Sequence, residues 1–117
     1  MDWKYLLTSY EGRINRAKFW ACIGVLFAGA IVAMIIDNII GTTMEGLPYG
    51  YVYVLYVLAM LYPVFSVYAK RWHDRDKSGW WTLIGLVPVI GGIWLLVELG
   101  ILEGTRGPNR FGPDPLA

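Results

Sequence analysis

The chain has 117 residues, 56% of them hydrophobic and 16% charged, with a formal net charge of +1. That length suits one domain, and a charge content well below the roughly 25% of soluble domains points to a bilayer as solvent. A single cysteine, Cys22, excludes an internal disulfide framework and a Cys-rich zinc site, and nothing in the charge balance calls for a nucleic-acid partner.

Trp3, Leu6, Leu7 and Tyr10 recur at helical spacing. They predict a short interfacial helix lying among headgroups, ended by Gly12. Asn15 is placed to cap the next helix, with its side-chain oxygen accepting a first-turn amide. Arg13, Arg16 and Lys18 stand just outside the following apolar run, within reach of lipid phosphates.

No charge occurs from Phe19 to Ile36, from Gly46 to Ala69 or from Ser78 to Val97. At about 1.5 Å per residue each run matches a hydrocarbon core roughly 30 Å thick. The expected fold is therefore an all-α integral membrane protein, a single domain over 1–117 with spans near 17–40, 47–69 and 78–100. The first span follows a charged head and lacks a small-residue cleavage site, so it reads as a retained anchor. Gly24 with Ala28, and Gly29 with Ala33, suit close helix packing within the chain or between copies, which makes a homo-oligomer one expectation. Tyr49, Tyr53 and Tyr56 form an aromatic belt at the entry to span two, and Pro63 should kink it.

Between spans two and three lie Arg71, His73, Asp74, Arg75 and Lys77, followed by Trp80 and Trp81 at the membrane interface. This cluster suits an anionic headgroup or phosphate, or an internally salt-bridged hinge in which Asp74 pairs with Lys70 or Lys77 or acts as a cap. Asp76 or Ser78 can cap the third helix. Residues adjacent on a helix point apart, so His73 and Asp74 are not automatically a dyad. No second His or Cys accompanies them, so neither a catalytic residue, a metal site nor a cofactor is expected.

Span three contains Pro88 and Gly91-Gly92. These predict a kink in a spanning helix, or alternatively a broken, re-entrant pair that returns the tail to the side it left. Eight of the ten Lys and Arg fall in the head and in the second link, which the positive-inside bias assigns to the cytoplasm. Three full crossings would then put the Gly/Pro-rich tail, 104–117, on the periplasmic side. Within the tail, Asn109, Arg110, Phe111 and Asp114 form a candidate motif held by fixed turns. A tail on the inside would instead bring Arg110 and Asp114 beside His73 and Asp74.

Gly12-Arg13-Ile14-Asn15-Arg16 with Phe19-Trp20, then Arg71-Trp72-His73-Asp74 with Ser78-Gly79-Trp80-Trp81, Pro88 and Gly91, then the run Gly107 to Pro115, resemble the domain of unknown function 805 family. The resemblance covers almost the whole chain. It implies a small bacterial inner-membrane protein and supplies no established activity. Lys70, Trp72, Asp76 and Lys18 depart from the usual pattern, which has Arg, Leu, Gly and Glu there. The functional expectation is a non-enzymatic membrane protein whose cytoplasmic Arg/His/Asp/Trp surface engages anionic lipid or a membrane-protein partner. The alternative is a subunit of an oligomeric transporter or channel.

Overall fold

Two long helices carry the first two apolar runs. In the computed structural model, which describes residues 2–116, the elements are α1 (Trp3–Thr8), α2 (Arg16–Ile40), α3 (Tyr51–Asp74), a 3-10 helix (Gly79–Leu86) and α4 (Ile90–Leu95), which continues as a π-helical turn (Leu96–Ile101). No strand occurs among the described residues. Helices α2 and α3, at 25 and 24 residues, are long and apolar enough to cross a membrane.

Helix α2 begins where the sequence indicates, with Asn15 Oδ1 accepting the Lys18 amide at 2.8 Å. It stops at Gly41, whose φ of +77° is the left-handed conformation that closes a helix. Helix α3 starts at Gly50, which has no side chain to cap with, and Asp37 of α2 fills that role. Its carboxylate accepts the amides of Gly50, Val52 and Tyr53 at 2.9, 3.0 and 2.9 Å. Asp37 is fully buried. A carboxylate at the positive end of a helix offsets its own desolvation there.

The reverse arrangement joins α1 to α3. Lys70 Nζ donates to the carbonyls of Tyr5, Leu6 and Ser9 at 2.9, 2.7 and 2.6 Å, and to Ser66 Oγ at 2.7 Å. A cation thus caps the negative end of α1. That contact ends α1 at Thr8, four residues before Gly12. Leu6 lies in the core with Ile14, Phe19, Cys22, Val67, Trp72 and Leu99, so α1 is fixed to the bundle by one face. Gly12 instead turns the chain at φ +92°, with the Tyr5 ring where a Cβ would stand.

The third apolar run is not one kinked helix over 78–100. Ser78 caps the 3-10 helix, which runs to Leu86. The chain then breaks at Pro88, which lacks an amide hydrogen, and at Val89, held at φ +64°. Helix α4 returns alongside. The 3-10 arm spans about 16 Å and the returning arm about 18 Å, roughly half a hydrocarbon core. The arms touch at Gly91, where an added Cβ would lie 2.0 Å from the Ile84 carbonyl oxygen.

Both ends of this hairpin meet α3 at its C-terminal end. Gly79 packs on Ala69, and the Thr105 amide donates to the Asp74 carbonyl at 2.6 Å. The tail therefore lies at the same end of the molecule as the N-terminal head, opposite to the placement that three full crossings require.

The small residues of α2 divide. Gly29 makes room for Tyr56, whose hydroxyl donates to the Leu26 carbonyl at 2.7 Å, whereas Gly24 faces open space. Tyr56 thus seals α2 against α3, while Tyr49 and Tyr53 pair at 4.8 Å.

Adjacent glycines of the hairpin separate close approach from flexibility, because nothing lies within 4 Å of a Cβ built at Gly92. Gly91→Ala should lower stability in detergent by about 1–3 kcal/mol. Gly92→Ala should leave the thermal unfolding midpoint unchanged or raise it. Equal effects at the two positions would contradict the packed hairpin.

Candidate functional site

Asp74 closes α3 and holds the head, α3 and the tail together. Its Oδ1 accepts from Arg13 Nη2 at 3.0 Å and Nε at 3.2 Å, and its Oδ2 accepts from Arg71 Nη1 at 2.5 Å. Relative exposures of 6% for Arg13, 0% for Arg71 and 4% for Asp74 put all three out of water. The remaining guanidinium donors reach backbone oxygens. Arg13 donates to Thr105, Gly107 and Gly112 at 2.6, 2.8 and 3.2 Å, and Arg71 to Leu99 and Leu102 at 2.6 and 2.5 Å. Buried charges are stable when their hydrogen-bonding capacity is met in this way.

The same logic seats the returning arm. The carbonyls of Leu99, Gly100, Ile101 and Leu102, at the arm's C-terminus, accept in turn from Arg71, Trp20 Nε1, Arg16 and again Arg71. Gly100 and Gly104 are small by necessity, since a Cβ would lie 2.5 Å from the Trp20 ring and 2.0 Å from Asp74 Oδ2 respectively.

Around this triad lies a half-buried shell. Glu98 receives Arg75 at 3.0 Å and Lys77 at 2.8 Å. Lys77 also lies over the Trp72 and Trp81 rings, while Trp80 projects outward at 78% exposure. His73 Nδ1 sits 2.9 Å from the Gly12 carbonyl, and its ring stacks on Phe111 with centroids 4.0 Å apart. A carbonyl only accepts, so Nδ1 carries a hydrogen.

The tail wraps this end. Asn109 donates to the His73 carbonyl at 2.9 Å, and Arg110 donates to the Asp76 carbonyl at 3.0 Å and pairs with its carboxylate at 3.4 Å. Asp114 accepts the Gly107 amide at 2.9 Å, closing the Gly/Pro turns on themselves.

The structure thus gathers the residues singled out from sequence at one end, in an internally salt-bridged cluster whose pairs are not the ones expected. Asp74 pairs with Arg13 and Arg71, not with Lys70 or Lys77. His73 and Asp74 form no dyad, because both carboxylate oxygens are occupied by guanidinium. Arg75 and Lys77 face Glu98, the first charge after the third apolar run, which was not singled out from sequence. Asp37 and Lys70 were also missed as helix caps. Among the described residues no group of three side chains could hold a metal ion.

The amides of Leu116 and Gly107 hold the Asp114 carboxyl below its ordinary range. A depressed pKa stabilises the folded turns of the tail above the unfolded-state value, and that contribution disappears as the pH falls through the folded-state value. Protease resistance of 104–116 should therefore be level near neutrality and decline in acid. Asp114→Asn should show the looser tail already at neutral pH, measured by the rate of tail cleavage. Asp74→Ala strands two buried guanidinium groups and should cost about 3–5 kcal/mol in detergent unfolding. Glu98→Gln leaves its two cations partly exposed to solvent, where pairing is worth about 1 kcal/mol or less, so it should cost far less.

No solved structure matches the chain. Among curated proteins it is 36% identical over 121 residues to inner membrane protein YhaH of Escherichia coli strain K12, covering 98% of this chain and 97% of that one. It is 42% identical over 106 residues to inner membrane protein YhaI of the same strain, covering 91% and 85%, and 29% identical over 132 residues to the uncharacterised protein YiiR, covering 92% and 86%. The model for a protein family of unknown function, DUF805, matches residues 7–113, which take in the head, both long helices, the hairpin and the tail turns, and the chain belongs to that family.

Proposed function

We propose that the chain is a non-enzymatic protein of the bacterial inner membrane, with two crossings, a re-entrant hairpin and both termini in the cytoplasm, whose polar end engages anionic lipid headgroups. One observation carries this reading. With the tail folded back, all ten Lys and Arg share the end that holds the head, and only Asp37 and Glu45 lie at the other. The polar end then has ten basic residues against seven acidic ones, a net of +3, and the far end has −2. The positive-inside bias, eight of ten under three crossings, becomes complete. The relatives named as inner membrane proteins support the location.

On this reading the residues that meet lipid keep Arg16 and Lys18 from those the sequence suggests and lose Arg13, Arg71, Arg75 and Lys77. Arg13 and Arg71 are sealed, and Arg75 and Lys77 are paired with Glu98. Lys4, Arg16, Lys18, Arg106 and Arg110 are exposed, Arg106 and Arg110 in surface pairs with Glu103 and Asp76 and Arg16 donating to the Ile101 carbonyl. A basic residue near an anionic leaflet is worth about 1 kcal/mol, so these five attract headgroups without a deep pocket. The combined Lys4→Gln, Lys18→Gln and Arg106→Gln variant should lose the parent's enrichment of phosphatidylglycerol over phosphatidylcholine in nanodiscs of mixed composition. Unaltered enrichment contradicts the headgroup reading. For sidedness, Ser9→Cys and Leu116→Cys in a Cys22→Ser background should both react only with reagent admitted to the cytoplasmic face. Labelling of the Leu116 position from outside overturns the re-entrant topology.

The broken third segment favours a second reading, a pathway-lining subunit of an oligomeric transporter or channel. That reading requires solute flux in reconstituted vesicles that changes with Pro88→Ala.

A further inference from the structure

Where α1 gives way to the head loop, an apolar groove of about 500 Å³ runs between α3 and the 3-10 helix. Its lining includes Tyr10, Phe65, Ala69, His73, Trp80 and Leu83. Phe65, Ala69 and His73 are four residues apart and form one stripe on α3, about 12 Å long. His73 is at the polar end of that stripe, under the tail, and Phe65 lies two turns deeper in the apolar run. The volume falls in the usual range for small-ligand sites, about 300–1,000 Å³.

The groove's long axis follows α3, so in a bilayer it opens along the direction of lipid chains. Three walls, given by α3, the 3-10 helix and Tyr10, offer a methylene chain more contacts than an open helix face does. Beside the mouth, Arg110 lies 4.9 Å over the Phe111 ring, which stacks on His73, and its guanidinium is ion-paired with the half-exposed Asp76 at 3.4 Å. Along this groove, apolar depth ends beside an exposed guanidinium that an anionic headgroup would share with Asp76.

We propose that the groove is a lipid site that takes one acyl chain of an anionic phospholipid from the leaflet on the head-and-tail side, with the headgroup at the His73–Phe111–Arg110 rim. This rests on the headgroup reading above for its leaflet and charge, and adds a discrete site of unit stoichiometry that is selective for chain length. Surface attraction by Lys4, Lys18 and Arg106 is screened by salt. A chain in a walled groove is held mainly by apolar burial, which salt does not weaken.

The full chain, purified in mild detergent and delipidated, is titrated with long-chain and short-chain phosphatidylglycerol and read by native mass spectrometry. The expected result is one long-chain adduct per chain that persists in high salt, with the short-chain lipid at least about tenfold weaker. Leu83→Trp, at a half-exposed wall position, should abolish the adduct, and Leu83→Met should retain it. A second readout guards against misfolding of the tryptophan variant. Lipid brominated along its chain should quench the parent's fluorescence more than that of Trp80→Phe. An adduct that survives Leu83→Trp, or no difference in quenching at Trp80, overturns the groove. Loss of adducts on Lys4→Gln, Lys18→Gln and Arg106→Gln, with none on Leu83→Trp, leaves the surface reading and removes the site. The converse leaves the site and removes the surface reading.

Discussion

The carboxylate of Asp74, held between the guanidinium groups of Arg13 and Arg71, fixes how the rest of the chain is arranged. A buried ion triad is a weak source of net stability, because desolvation consumes most of its Coulombic gain. What it supplies is position. Arg13 comes from the head, Arg71 and Asp74 from the end of α3, and most of their spare donors reach carbonyls of the returning arm and tail. Any arrangement that moved the tail to the far end would leave two guanidinium groups buried with half their donors unmet. The acceptors these groups find on the arm and tail, rather than the strength of any one bond, favour the hairpin's return.

A second constraint is the shortage of water around helix ends. A helix leaves four amides and four carbonyls without internal partners, and in an apolar environment each costs several kcal/mol if left open. This chain meets the cost with charged side chains borrowed from neighbouring elements. Asp37 caps α3 from α2, Lys70 caps α1 from α3, and Arg71 and Arg16 cap the hairpin from α3 and α2. Each sign matches the helix dipole it faces. Every such cap also ties two elements together, so the polar groups that close the helices are the ones that assemble the bundle.

That arrangement explains which features could be read in advance. Asn15 was legible because its cap is local, three residues from the amide it accepts. The apolar runs were legible because lipid imposes them residue by residue, and Pro88 with Gly91 marked the place where the third could break. Asp37 looked like an outer loop charge because its partners lie 13 to 16 residues away. Lys70 looked like one more interfacial cation, since no acidic partner is needed when carbonyls do the accepting. Glu98, just beyond an apolar run, showed nothing of its two cations more than 20 residues upstream. Periodicity reports burial and local caps. It does not report a partner chosen by the fold.

The motifs that carry the family resemblance are largely the ones the triad consumes. Gly12 and Arg13, Arg71 to Asp74, and Gly107 to Gly112 converge on a single buried junction, where Gly12 accepts His73, and Gly107 and Gly112 accept Arg13. Such residues specify architecture, and a ligand cannot reach two guanidinium groups already sealed by backbone oxygens and a shared carboxylate. Chemistry open to a partner must lie outside that junction, on the exposed cations of the polar end and in the groove beside α3. The motif residues determine that those two surfaces exist and which way they face. On the proposed reading, what binds there is decided by Lys4, Lys18, Arg106, Leu83 and their neighbours, most of them outside those motifs.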